Sequence, residues 1–327
     1  MDIILLVMKM KQTTIALIAV FLGILLPAFL MRPPKTTENI PRETQAVTVA
    51  PTEPQKEMTI PVLDGKTVVN MRLDDYLVSV VLSEMPASFS REALKAQAVV
   101  ARTYALRRVE KGKKHKPAAV CVNAGCCQGY ITEEAYVSKG GKRENIEKIK
   151  SAVASTKDLV LLYEGKLIDA TYFSCSGGQT EDAVAVWGTD VPYLQSIDSP
   201  GEESATHYTD TVQLTTEAFS KKLGFTPKGD PNMWVESVDY TEGGGVDSIR
   251  ICGREYKGTT LRKLLKLRST AFAITILGKT VTVTTKGYGH RVGMSQYGAQ
   301  AMALEGKDFR QILCHYYTGV TIGQWED

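Results

Sequence analysis

The chain has no large excess of either charge. Its 39 Lys and Arg residues against 36 Asp and Glu leave a net charge of +3 over 327 residues. That is too little to hold nucleic acid by its phosphates, and neither a zinc-finger pair nor an arginine-rich arm is present. No internal repeat is visible, which excludes solenoids and propellers. The six cysteines, at 121, 126, 127, 175, 252 and 314, follow no even spacing, so no disulfide framework is visible in the sequence. A Gly-x-Ser-x-Gly nucleophile elbow is missing, and cysteine–histidine catalysis finds little support. These absences remove nucleic-acid binding, repeat scaffolds and the common nucleophilic hydrolases.

What remains is a globular composition, 43% hydrophobic and 23% charged, long enough for one large domain or two ordinary ones. The N-terminus differs. Thr13 to Met31 contains no charged residue and matches the roughly 20 apolar residues that cross a bilayer as a helix; Pro27 is tolerable there. A cleaved signal peptide is the competing reading. It requires a small-x-small site after the apolar core, whereas this segment ends in Phe29-Leu30-Met31 and runs into Arg32-Pro33-Pro34. A retained anchor over 13–31 is therefore favoured. Lys9 and Lys11 on one side and Arg32 and Lys35 on the other barely decide its orientation. A short tail before a large domain favours residues 1–12 in the cytoplasm. Met1 to Val7 is unusual before those lysines, and translation from Met8 or Met10 is one explanation. Residues 32–58, rich in Pro, Thr, Glu and Gln, read as a disordered linker.

Residues 59–327 read as an α+β domain, membrane-anchored and extracytoplasmic, mixing helices and strands around a substrate groove. Helices are expected over Leu73–Glu84, from Ser90 as N-cap to about Lys111, over Asn145–Ser155 and over Asp308–Tyr317. Strand-like runs cover Leu159–Tyr163 and Leu167–Phe173. From 209 to 285 the pattern changes to alternating short strands and helices, a possible inserted subdomain with its own small core.

Three places could carry chemistry. Leu73, Tyr76, Leu77, Val80, Val81 and Glu84 share a helical face, and all but the last are apolar. A carboxyl deprived of water holds its proton closer to neutral pH, as a general acid needs. Pro86 stops the helix just beyond, so Glu84 stands at a helix end that a cleft can reach. The alternative is solvent in a frayed last turn. Next, His115, Cys121, Cys126 and Cys127 give the spacing H-x5-C-x4-C-C. That suits a tetrahedral zinc, a Cys121–Cys127 disulfide in an oxidising compartment, or free thiols. A zinc here would be structural, since nothing suggests an open coordination position. Last, the small residues Ser174-Cys175-Ser176-Gly177-Gly178 and the run Gly287-Tyr288-Gly289-His290 bring backbone close to a ligand or simply turn the chain. His290 could be a base, a ligand or a hydrogen-bonded structural residue.

Several segments together resemble the stage II sporulation protein D family. They are YLVSVVLSEMP (Tyr76 to Pro86), EALKAQAVVARTY (Glu92 to Tyr104), SCSGG (Ser174 to Gly178), Trp187-Gly188 with Pro192-Tyr193-Leu194, and GYGHRVGMSQYGA (Gly287 to Ala299). The likeness runs from about Val62 to Ile322. It departs at Arg291, where the family usually has glycine after the histidine; an arginine there could narrow or charge the groove.

The resemblance implies a peptidoglycan lytic transglycosylase of endospore-forming bacteria, anchored in the mother-cell membrane with its catalytic domain facing the engulfment space. Such enzymes cut between N-acetylmuramic acid and N-acetylglucosamine and leave a 1,6-anhydro end. They prefer glycan stripped of stem peptides by stage II sporulation protein P and act with stage II sporulation protein M in forespore engulfment. The family's catalytic glutamate falls on Glu84. Its zinc ligands fall on His115, Cys121, Cys126 and Cys127, with histidine more usual at the position of Cys126. Arg102, Ser174, Ser176, Gly177, His290, Ser295, Gln296 and Tyr297 are the candidate substrate contacts. Relatives sharing these motifs enhance wall amidases, so a non-catalytic enhancer or scaffold is the alternative.

Overall fold

The computed structural model describes residues 57–112 and 114–325. The expected cytoplasmic tail, membrane anchor and nearly all of the linker lie outside the described residues. Among the described residues, no helix is long and apolar enough to cross a membrane.

Thr59–Asp64 (β1) and Thr67–Arg72 (β2) form an antiparallel hairpin. Leu73–Glu84 (α1) follows directly and ends at Met85, whose extended backbone is the conformation that a following proline imposes. Arg91–Lys111 (α2) is the central helix. Ala93, Ala96, Ala98, Ala101 and Ala105 are all fully buried, and their small size lets neighbours approach on several sides. Arg102 is buried, and Arg107 pairs with Asp169 at 2.8 Å.

Val120–Cys121 (β3) joins β1 in parallel. Glu133–Ser138 (α3), capped by the Thr132 hydroxyl, precedes Arg143–Ser155 (α4), which packs on α1 and α2. Leu159–Tyr163 (β4) pairs with Lys166–Leu167 (β5). The strand expected to continue from there is interrupted before Tyr172–Phe173 (β6). Arg107 donates to the Leu167 carbonyl and the Tyr193 hydroxyl accepts from the Asp169 amide at 3.1 Å, which spends these groups outside a sheet. A short helix not foreseen from the sequence, Ala183–Trp187 (α5), ends at Gly188 with φ 74°.

Thr209–Thr215 (β7), Thr216–Leu223 (α6), Val235–Tyr240 (β8), Val246–Ile251 (β9), Arg254–Lys257 (β10), Gly258–Leu265 (α7), Phe272–Leu277 (β11) and Thr280–Lys286 (β12) come next. They build two three-stranded antiparallel sheets, ordered β11-β12-β7 and β10-β9-β8. Phe219, Trp234, Ile249, Leu261, Val281 and Val283 form a buried apolar cluster within this segment. A larger cluster joins α1, α2, α4 and the C-terminal elements.

The chain returns through Met294–Ser295 (β13), Gln296–Leu304 (α8), Phe309–Tyr316 (α9) and Thr321–Gln324 (β14). Strand β13 lies parallel to β6, β14 pairs antiparallel with β4, and α8 and α9 pack on α2. The fold is mixed α+β, as expected.

Candidate functional site: a groove with one acid

Burial of Tyr76, Leu77, Val80 and Val81 on α1 fixes the rotation of the helix, and Glu84 occupies its last position. The side chain is half-buried. The backbone amide of Gly129 donates to its Oε1. Gly129 has to be glycine for this approach, since a Cβ there would stand 2.9 Å from Oε1 and 2.7 Å from the Ser83 hydroxyl. Next to it, buried Gln128 accepts from the Tyr76 hydroxyl at 3.3 Å and donates to the Tyr172 hydroxyl at 3.2 Å. Burial, and then the charge of Glu84, push the Tyr172 phenol well above the usual tyrosine range, so it stays protonated. A polar chain thus runs Tyr76–Gln128–Tyr172 beneath the acid.

Gln128 and Gly129 follow directly from the cysteine–histidine cluster. The ligand atoms of His115, Cys121, Cys126 and Cys127 all lie within 4.8 Å of one another. Sulfurs of Cys126 and Cys127 are 3.2 and 3.4 Å from His115 Nε2. Donors around a tetrahedral zinc stand roughly 3.5–3.8 Å apart, so the donor set and its spacing fit one such ion. All six cysteines are free, and the Cys121–Cys127 disulfide reading is corrected accordingly. The Asn123 carbonyl accepts from the amides of both Cys126 and Cys127 at 2.9 Å, which turns the loop so that the adjacent cysteines project together.

The opposite wall is made where two motifs meet. Strand β13 pairs Met294 with Tyr172 and Ser295 with Phe173, and Cys175 and Tyr288 exchange backbone hydrogen bonds of 3.1 and 2.7 Å. A Cβ on Gly287 would lie 2.5 Å from the Ser176 carbonyl oxygen, and one on Gly293 would lie 2.2 Å from that of Thr171. The glycines of the later motif let it lie flush against the earlier one. Glu202 anchors the earlier motif from behind. Its Oε2 accepts from the Cys175 thiol, the Ser176 amide and hydroxyl, and the Gly177 amide at 2.7–3.1 Å. Burial and then Glu202 push the Cys175 thiol up, which leaves it protonated and a poor nucleophile.

Between these walls lies a cavity of 590 Å³. Of the residues expected from the sequence, Glu84, Cys126, Cys127, Ser174, His290 and Gln296 line it. The others serve differently. Arg102 does not reach the groove, a correction to its expected substrate role. It is 1% exposed and donates to the carbonyls of Val153, Thr156 and Leu159 at the end of α4, the cationic stop that helix C-termini favour. Ser176 is also corrected: fully buried, its hydroxyl is spent on Glu202 and on the Gly178 amide. Ser295 is buried and caps α8. Gly177 and Tyr297 lie behind the lining residues, the latter with its ring on Phe89 at 5.1 Å. Arg291 neither narrows nor charges the groove. It takes φ 67°, turns inward, and meets Glu181 at 3.0 Å and the carbonyls of Ser176, Gln179 and Gly243 at 2.6–2.7 Å. Tyr104, Tyr172 and Tyr288 also line the cavity, and no spacing in the sequence marks them as wall residues.

His290 presents a neutral ring. Its Nδ1 accepts from the Val292 amide at 3.1 Å and its other nitrogen serves the Tyr172 carbonyl. Burial, and then the nearby Arg262, hold its pKa down to about 4. With both nitrogens engaged it orients the wall and is a poor proton acceptor, which favours the hydrogen-bonded structural role over that of a base.

These features define a class: an α+β groove protein with a single carboxylate among its lining residues and a cysteine–histidine cluster bracing that carboxylate. Residues 64–163 match the family model described as "Stage II sporulation protein". The chain is 38% identical over 296 residues to stage II sporulation protein D of Bacillus amyloliquefaciens, covering 89% of this chain and 85% of that one. It is 36% identical over 332 residues to stage II sporulation protein D of Bacillus subtilis (strain 168), covering 96% of each. It is also 31% identical over 305 residues to the amidase enhancer of Bacillus subtilis (strain 168), covering 75% of this chain and 40% of that protein. The chain belongs to the stage II sporulation protein D family.

Proposed function

We propose that the protein is a lytic transglycosylase that cleaves peptidoglycan glycan between N-acetylmuramic acid and N-acetylglucosamine, with Glu84 as its acid and base. The observation that carries this reading is that Glu84 is the only carboxylate among the residues lining the cavity. Hydrolytic glycosidases use two. In a transglycosylase one carboxyl suffices, because the substrate supplies the nucleophile. Glu84 protonates the glycosidic oxygen as the C1–O bond breaks. The muramic C6 hydroxyl attacks C1, and its proton returns to Glu84. The chain leaves with a 1,6-anhydro end, and the carboxyl is restored. The Gly129 amide holds Oε1, which leaves Oε2 to carry the proton. Ser174 and Gln296 contact the sugar's hydroxyl or acetamido groups.

His115, Cys121, Cys126 and Cys127 would hold a structural zinc whose charge offsets the thiolates and sets the loop that presents Gly129. In this reading the substrate is glycan stripped of stem peptides. The partners are stage II sporulation proteins P and M, and the place is the mother-cell membrane, reached through an N-terminal helix, during forespore engulfment. The test is mass spectrometry of denuded glycan after incubation: anhydromuramic ends form with the parent protein and vanish with Glu84→Gln. If the Gln variant still produces them, Glu84 is not the catalyst. The likeness to the amidase enhancer favours one second reading, a groove that recruits an amidase without cutting. That reading expects no anhydro ends from either protein and stimulation of an amidase by both.

A further inference from the structure

A second cavity, of 550 Å³, shares His290 with the acid-bearing one. Trp187, at the end of α5, forms one side; Thr259, Arg262 and Lys263 of α7, with Lys266 at its C-cap, form another. Trp187 is 47% exposed, with its ring 5.4 Å from that of His290. A half-exposed indole beside a glycan groove offers the flat apolar face on which the C–H face of a pyranose ring packs.

Arg262, opposite it, is half-buried. The buried or half-buried Arg102, Arg107 and Arg291 each have a carboxylate partner. Among the described residues, no carboxylate stands within ion-pair distance of Arg262, Lys263 or Lys266. Arg262 donates through one nitrogen to the Arg268 carbonyl at 2.9 Å, which fixes its head and leaves further N–H groups free. A helix C-terminus favours cationic side chains in its last turn, but that accounts for neither the Trp187 opposite nor the shared cavity. Lys266 moreover holds φ 58°, where glycine is the unstrained choice.

We infer that this cavity is a subsite for an acidic sugar, with Trp187 beneath the ring and Arg262, Lys263 and Lys266 on the carboxylate that the ring carries. The inference rests on the reading of the groove as a glycan site, and it names what in the glycan is recognised. The 3-O-lactyl group of muramic acid is an uncharged amide while a stem peptide is attached. It becomes a carboxylate once the peptide has been removed. Stem peptides bring carboxylates of their own, but these lie residues away from any ring stacked on Trp187. The cation cluster therefore reads the free lactyl acid.

Binding to three ligands tests this: denuded glycan, peptide-bearing glycan and an uncharged N-acetylglucosamine oligomer. Loss of three such ion pairs corresponds to about 10-fold in affinity. The Arg262→Gln/Lys263→Gln/Lys266→Gln variant is expected to bind denuded glycan about 10-fold more weakly, and the uncharged oligomer as the parent does. Raising salt from about 0.05 M to about 0.5 M should erode the parent's preference by screening. The Lys263→Gln/Lys266→Gln variant alters exposed positions alone and should show part of the loss, which guards against misfolding of the triple variant. Equal binding of denuded glycan by parent and both variants overturns the inference and leaves the groove reading intact. Selective loss on peptide-bearing glycan also overturns it, by moving the recognised carboxylate to the peptide. If the parent binds none of the three ligands, the groove reading itself falls, and the inference with it.

Discussion

The backbone amide of Gly129 grips Oε1 of Glu84, so the groove's acid is tied to a loop. That loop is the continuation of the cysteine–histidine cluster. Positioning of the acid and folding of the cluster are therefore one structural problem.

Gly129→Ala separates activity from stability. The added methyl would meet the end of the Glu84 side chain at 2.9 Å, and a flexible carboxylate can swing away at little cost. Thermal stability should change by less than about 1 kcal/mol. Turnover should fall by about 100-fold, the scale expected of a reacting group displaced by about an ångström. Calorimetry with product analysis checks both; full turnover in this variant would show that the amide contact is dispensable.

Metal removal should loosen the same loop. Purified protein is expected to carry one zinc per chain, and a strong chelator should lower the melting temperature together with activity. His115→Ala should lose the metal. Elemental analysis that finds equal zinc in His115→Ala and parent would remove the cluster as its site.

Replacing Arg291 tests a buried ion pair. Arg291→Met leaves Glu181, 1% exposed, without its cation, at a cost of about 3–5 kcal/mol. The Arg291→Met/Glu181→Gln pair should recover much of that, because the buried charge is gone. Denaturant unfolding of the single and double variants provides the comparison; additive losses would mean that the two residues do not interact.

His290 gives a pH signature. Its folded pKa, about 4, lies below the ordinary value near 6.5, so the unfolded chain binds more protons between these limits. The neutral ring's contribution is complete above about pH 6.5 and is lost as pH falls toward about 4, amounting to about 3 kcal/mol. Groups facing it include Arg262 from α7 and Trp187 from α5. The difference in unfolding free energy between parent and His290→Gln should shrink steadily over this window. A difference independent of pH would contradict the neutral-ring assignment.

The sequence was most readable where local rules coincide. Helix α1 ends at the residue that Pro86 dictates, and the break in its apolar stripe brought out Glu84. The cysteine–histidine spacing likewise singled out atoms that lie together. Roles set by distant partners were not readable. Arg102 looked like a polar residue on a helix face because its acceptors are carbonyls ending α4, far along the chain. Arg291 looked like a charge in the groove because Glu181 and Gly243, which turn it inward, carry no mark of that pairing. Tyr172 meets Glu84 only in the folded chain, where pairing of β6 with β13 places it.

The meeting of β6 with β13 also sets an order of events in time. A growing chain emerges from its N-terminus, so Glu84 and the cysteine loop exist well before the glycine-rich segment that completes the opposite wall. The groove appears only when that late segment docks across the whole β7–β12 excursion. In the reading proposed above, the chemistry of the groove therefore begins only with its last elements.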